Sequence, residues 1–186
     1  MIKDDTSQYI VLYADDDEDD VDLMQEAFSK YSTNMSVVAK NDGQQVLNFL
    51  KEVAPKKNLP CLVILDINMP RLDGKETLKQ LRKIEEYNEV PIVLFTTSSS
   101  PEDARFAKKF NAGYITKPMD ANQIQFIADQ FLNYCSDEVR KNILPGYGFV
   151  GNYLSKIYLQ RVIDSSLKNK RNLLHDPGFG LFIFKK

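Results

Sequence analysis

The chain has 186 residues, 43% of them hydrophobic and 27% charged, with 24 Lys/Arg against 26 Asp/Glu, one His, two Cys and no Trp. That length allows one domain with an appendage, able to bury roughly two thirds of its unfolded surface without disulfide staples. Cys61, Cys135 and His175 are too few and too scattered for a structural zinc site, which takes about four ligands, and a lone His near the C-terminus leaves Ser-His or Cys-His chemistry without a base in the body of the chain.

Apolar runs of strand length alternate with segments of helical period, the pattern of a parallel sheet wrapped by helices. The predicted strands are Tyr9–Ala14, Met35–Ala39, Cys61–Leu65, Ile92–Phe95 and Gly113–Thr116. YIVLYA, CLVIL and PIVLF are apolar almost throughout, as expected of central strands covered on both faces. Between them, Val21, Met24, Ala27, Phe28 and Tyr31 share one helical face, and Val46, Leu47, Phe49, Leu50 and Val53 another. Leu78 and Leu81 mark a third helix. The fourth opens at Ser100, a capping residue followed by Pro101, with Asp103 placed to close a capping box. Ile124, Ile127, Ala128, Phe131 and Cys135 mark the fifth. Five such units predict an α/β, doubly wound, five-stranded parallel sheet of flavodoxin-like order 2-1-3-4-5 with five helices.

The pattern stops after Tyr134. Pro145, Gly146, Gly148 and Gly151 read as a turn or linker, and the spacing of Leu154, Ile157, Tyr158, Val162, Ile163 and Leu167 fits an amphipathic helix over 153–174. The net charge of −2 hides a split: residues 1–136 carry 15 Lys/Arg and 22 Asp/Glu, residues 137–186 carry 9 and 4. An acidic domain over 7–136 is therefore expected to precede a basic extension over 137–186. That extension reads as an appended dimerisation helix, a docking arm for an acidic partner or a partly disordered tail, with association at a membrane surface a smaller alternative. No apolar run approaches the ~20 residues of a membrane span, and the charged start MIKDDTSQYI is unlike a signal peptide. The expected compartment is the cytoplasm, with reduced thiols.

In an open parallel sheet, ligands bind outside the carboxyl ends of the strands. After the first strand come Asp15, Asp16 and Asp17, after the third Asp66, after the fourth Thr96 and after the fifth Lys117. If the first and third strands are neighbours, Asp15, Asp16 and Asp66 converge, and three carboxylates without a counter-ion raise one another's pKa values. Mg²⁺ is the natural remedy, being a hard cation commonly held by one or two carboxylates plus phosphate oxygens. Thr96 can then hydrogen-bond a phosphate oxygen, Lys117 can supply a compact positive charge, and Asp66 is the nucleophile available to form an aspartyl phosphate. Asp17, Glu18, Asp19 and Asp20 read instead as a solvated helix start, Ser98 to Ser100 as a loop and cap, and Asp73-Gly74 as a turn.

YADDDEDD after the first strand, LDINMPRLDGKE around Asp66, LFTTSSS at Thr96 and GYITKP at Lys117 together resemble a response-regulator receiver domain of two-component signalling, over about residues 7–135. The resemblance implies that Asp66 takes a phosphoryl group from a partner's phosphohistidine. It implies that Asp16 and Asp66 bind Mg²⁺ through carboxylates, Asn68 through its backbone carbonyl and Asp15 through a metal-bound water. It further implies that Thr96 and Lys117 contact the phosphoryl group, that Thr96 and Tyr114 form a switch, and that the Lys117-Pro118 bond is cis. Thr97 stands where the family usually has a small residue, which narrows access for the donor or for water. The expected partners are a sensor histidine kinase or phosphotransfer protein and a downstream protein target, with no direct nucleic-acid contact, because fifty residues are too few for a winged-helix output; a homodimer or a tail-based output are the variants. A turnover enzyme is not expected. The enzymatic rival, a phosphatase or phosphotransferase of the haloacid-dehalogenase type, wants DxD at the central strand, and here the sequence is Asp66-Ile67-Asn68.

Overall fold

The computed structural model describes residues 9–31, 34–56, 58–120 and 123–143. Strands β1 (Tyr9–Ala14), β2 (Met35–Lys40), β3 (Leu62–Asp66), β4 (Ile92–Thr96) and β5 (Gly113–Thr116) alternate with helices α1 (Glu18–Ser29), α2 (Gly43–Val53), α3 (Gly74–Leu81), α4 (Pro101–Lys109) and α5 (Ile124–Leu132). All strands pair in parallel in the order β2-β1-β3-β4-β5, as expected from the alternation. The three most apolar runs are indeed the inner strands, and β3 and β4 are buried throughout.

Side chains alternate across each strand, so the sheet divides its apolar residues between two layers. Leu12, Ala14, Val63, Leu65 and Leu94 meet α2 and α3 on one side. Val11, Tyr13, Ile64, Val93 and Phe95 meet α1 and α5 on the other. There Phe131 lies edge-on to Phe95, with ring centroids 5.1 Å apart, and stacks on Phe28 at 6.5 Å. Each such fully buried side chain stabilises the fold by roughly 1.5–3 kcal/mol relative to exposure. Register places Ala14 opposite both Lys40 and Leu65, and Asp66 opposite Phe95, so the strands end in step at one edge of the sheet.

A sixth helix, α6 (Asp137–Ile143), lies beyond the five expected. Ile143 is buried in the α1–α5 layer, and the Asn142 amide donates to the Tyr9 hydroxyl at 2.5 Å. The helix expected over 153–174 and His175 lie outside the described residues. No helix among the described residues is long and apolar enough to cross a membrane.

Candidate functional site

Asp15 and Asp66 follow or end two adjacent buried strands and are themselves buried, 2% and 5% exposed, while Asp16 is exposed on the loop. Each of the three offers a carboxylate oxygen, all within 4.8 Å of one another, so the topology brings together the three acids picked out by their strand-end positions. Burying two carboxylates is costly without compensation, and three groups supply it. The Tyr13 hydroxyl, two residues back on the same face of β1, donates to Asp15 Oδ2. The Asp17 backbone N–H donates to Asp15 Oδ1 at 3.1 Å. Lys117 Nζ reaches Asp15 Oδ2 at 2.7 Å, Asp20 Oδ2 at 2.8 Å and Asp66 Oδ1 at 3.2 Å.

Asp66 is fixed at both oxygens, since Oδ2 accepts from the Asn68 backbone N–H at 2.7 Å. Burial, with the nearby Asp15 charge, raises the Asp66 pKa although Lys117 pulls the other way. Burial works against the Lys117 charge as well, but the hydrogen bonds to Asp15 and Asp20 outweigh it and hold the ammonium above its ordinary range. Burial and Asp15 push the Tyr13 phenol far upward, so it stays a neutral donor. The site is thus a carboxylate cluster whose one described internal cation already has three acidic partners. The crowding and the hard oxygen donors fit a small divalent cation such as Mg²⁺.

Backbone packing sets the position of Asp66 as well. A Cβ on Gly74, the first residue of α3, would lie 2.1 Å from the Asp66 carbonyl oxygen, and the Gly74 N–H donates to the Ile67 carbonyl at 3.1 Å. Asp73 caps α3 by accepting from the Glu76 N–H at 2.7 Å, as a turn residue should. The turn expected at Asp73-Gly74 therefore also provides a close approach between α3 and the acid-bearing strand.

Thr96 is fully buried at the end of β4, and its Oγ1 accepts from the Ser98 N–H at 3.2 Å. Tyr114, partly buried on β5, donates its hydroxyl to the Ser98 carbonyl, so the two residues of the expected switch meet at one loop residue. Thr97 is exposed.

Three expectations are corrected. The Lys117-Pro118 bond is trans, as are all described peptide bonds, trans being the preferred isomer by about 0.5–1 kcal/mol, and the Lys117 N–H donates to the Thr96 carbonyl at 2.7 Å. Asp103 does not close a capping box. Ser100 Oγ does cap α4, at 3.2 Å from the Glu102 N–H, but the Ser100 N–H bonds Ser98 Oγ and Asp103 turns to Lys75 of α3. Asp20 is not merely solvated, because it shares Lys117 with Asp15. Sequence reasoning also passed over Tyr13, although its spacing of two from Asp15 on a strand puts both on one face.

The response regulator receiver domain family matches residues 11–129. The response regulator Rcp1 of Synechocystis is 27% identical over 111 residues, 58% of this chain and 76% of that protein. Among solved structures, the phosphorylated cyanobacterial phytochrome response regulator RcpA superposes with a TM-score of 0.62 at 25% identity, covering 69% of this chain and 94% of that one. The chemotaxis response regulator CheY4 of Vibrio cholerae gives 0.56 at 25% identity, covering 67% and 99%.

Proposed function

Because the chain belongs to the response regulator receiver domain family of two-component signalling, we propose that Asp66 is its phosphoacceptor and that it receives the phosphoryl group from the phosphohistidine of a sensor kinase or phosphotransfer protein. One observation carries the reading: Asp66 is held by Lys117 on one oxygen and the Asn68 N–H on the other, beside Asp15 and Asp16. Two donors leave the carboxylate oriented, and orientation is a large part of what a phosphoryl-transfer site supplies. An Asp66 oxygen attacks phosphorus as the P–N bond breaks, the electron pair leaves on the imidazole nitrogen, and an acyl phosphate is formed.

Asp16 and Asp66 would hold Mg²⁺ through their carboxylates, with the Asn68 carbonyl and, through a water, Asp15. A bound Mg²⁺ supplies charge compensation for the phosphoryl oxygens. Lys117 is placed to leave the crowded acids for the incoming phosphoryl charge, and the Thr96 hydroxyl to donate to a phosphoryl oxygen. The proton-transfer carboxylate of a haloacid-dehalogenase-type phosphatase is replaced at position 68 by Asn, so the product is expected to be a signalling state and the chain to phosphorylate itself without multiple turnover. Thr96 and Tyr114 would relay that state to a surface read by a downstream protein, in the cytoplasm, from a receiver over 7–136 followed by a basic extension.

The test is incubation with Mg²⁺ and a small phosphoramidate, for the wild type and Asp66→Asn. The wild type should gain acid-stable, base-labile phosphate and the variant none. Equal incorporation in both would remove Asp66 from the role.

A further inference from the structure

Three hydrogen bonds meet at Ser98, in the loop between β4 and α4. Its N–H donates to Thr96 Oγ1 and its carbonyl accepts from the Tyr114 hydroxyl. Its Oγ accepts from the Ser100 N–H at 3.2 Å, and the Ser100 carbonyl in turn accepts from the Asp103 N–H at 3.1 Å. Asp103 is buried, 7% exposed, although its neighbour Glu102 in the first turn of α4 stands in solvent. What holds the buried acid is Lys75, from the first turn of α3, whose ammonium pairs with it and lies 5.7 Å from the centre of the Phe106 ring. Lys75 follows Gly74, the residue packed against the Asp66 carbonyl. A path of contacts therefore runs from the acid-bearing strand through α3, Lys75, Asp103, Ser100 and Ser98 to Thr96 and Tyr114.

An acid in the first turn of a helix ordinarily serves the helix dipole from solvent, for about 0.3–1 kcal/mol. Asp103 is instead turned inward to a partner on another helix. We propose that the Lys75–Asp103 ion pair is a latch on the β4–α4 loop: it fixes Ser98, and through Ser98 it holds the Thr96 hydroxyl and the Tyr114 ring in the arrangement that receives the phosphoryl group. Lys75 and Asp103 are positioning residues, acting through Ser100 and Ser98. The proposal rests on Asp66 being the acceptor, and a protein that spends less time in the receiving arrangement is phosphorylated more slowly in proportion.

The experiment compares Lys75→Met, Asp103→Asn, Tyr114→Phe, the double variant Lys75→Met/Tyr114→Phe, the charge swap Lys75→Asp/Asp103→Lys and, as a helix-dipole control, Glu102→Gln. Amide hydrogen exchange over residues 97–104, without any phosphoryl donor, reads the latch; exchange in β1 and β3 reports that each variant is folded. Phosphorylation by a small phosphoramidate in Mg²⁺ reads its consequence. Lys75→Met and Asp103→Asn should speed exchange in the loop and slow phosphorylation about three- to tenfold, with β1 and β3 still protected. Tyr114→Phe should slow it similarly, the double variant no further than the slower single one, and the charge swap should recover part of the rate. Glu102→Gln should change neither. Unaltered loop exchange in Lys75→Met and Asp103→Asn, or rate losses in the double variant that multiply, would overturn the latch. A wild type that takes no phosphate while the loop exchange responds as expected would overturn Asp66 as acceptor and leave the latch in place.

Discussion

Lys117 carries more electrostatic work than its position just after a short edge strand suggests. Its side chain is 11% exposed and is shared by Asp15, Asp20 and Asp66, two of which are nearly inaccessible. Removing one partner of a buried ionic network leaves the others uncompensated, at a cost of roughly 3–5 kcal/mol. Lys117→Met is therefore expected to lose about 3 kcal/mol of unfolding free energy in chelator, as measured by urea titration. Mg²⁺ should then stabilise the variant more than the wild type, because a ligand of the folded state adds stability according to its affinity and the competing ammonium is gone. An equal Mg²⁺ shift in both proteins would mean that the ion does not occupy the carboxylate cluster. Asp15, Asp16, Asp66, Thr96 and Lys117 were legible in the sequence because each stands at the carboxyl end of a strand, where chain topology alone gathers residues. Asp20 was not legible, since it sits among five neighbouring acids and only the rotation of the first turn of α1 tells which of them faces Lys117. Tyr13 was hidden differently: in an apolar strand a tyrosine counts as core, and its hydroxyl has a task only once Asp15 is known to be buried.

At the level of elements, the strands follow the apolar runs to within a residue, and the helices follow their apolar faces, because burial on a fixed period is what the hydrophobic pattern records. Links between elements are less visible. Asp42 shows this. It caps α2 by accepting from the Gln45 N–H at 2.8 Å, and the same fully buried carboxylate receives the Arg71 guanidinium from the loop after Asp66. Arg71 has a φ of 62°, a left-handed conformation that a non-glycine residue adopts at a cost, and the charged hydrogen bond offsets it. Burial alone would raise the Asp42 pKa, yet the Gln45 N–H and Arg71 together bring it below the ordinary carboxylate value of 3.8. A depressed folded pKa gives stability that is present in full above the unfolded value and is lost as the pH falls through the folded one. Urea midpoints should therefore decline as the pH drops below about 4, and Asp42→Asn should make that decline shallower while lowering the midpoint at neutral pH. A parallel decline in both proteins would assign the acid sensitivity to other carboxylates.

For the molecule as a whole, the acidic site and the start of the basic extension are separated by the length of β1. Tyr9, which accepts from Asn142 of α6, opens that strand, and Asp15 follows its end. At about 3.3 Å per residue the two lie roughly 20 Å apart. The end of the recognisable pattern at Tyr134 is thus not the end of the core, because Cys135 and Ile143 are buried in the same layer as Phe28 and Phe131. The sequence concealed this in a seven-residue helix, DEVRKNI, with only Val139 and Ile143 apolar; a helix so short owes its stability to tertiary packing and carries almost no periodic signal of its own. A chain cut after Tyr134 should consequently lose about 2–4 kcal/mol, the usual cost of deleting a large buried aliphatic side chain. A chain cut after Ile143 should keep the core layer complete, with wild-type urea midpoint and wild-type phosphate incorporation at Asp66. Urea titration of the two truncations side by side decides the matter: equal stability would detach α6 from the folding unit, whereas a loss confined to the shorter chain makes those residues part of the receiver and leaves any separate role of the extension to positions 144–186.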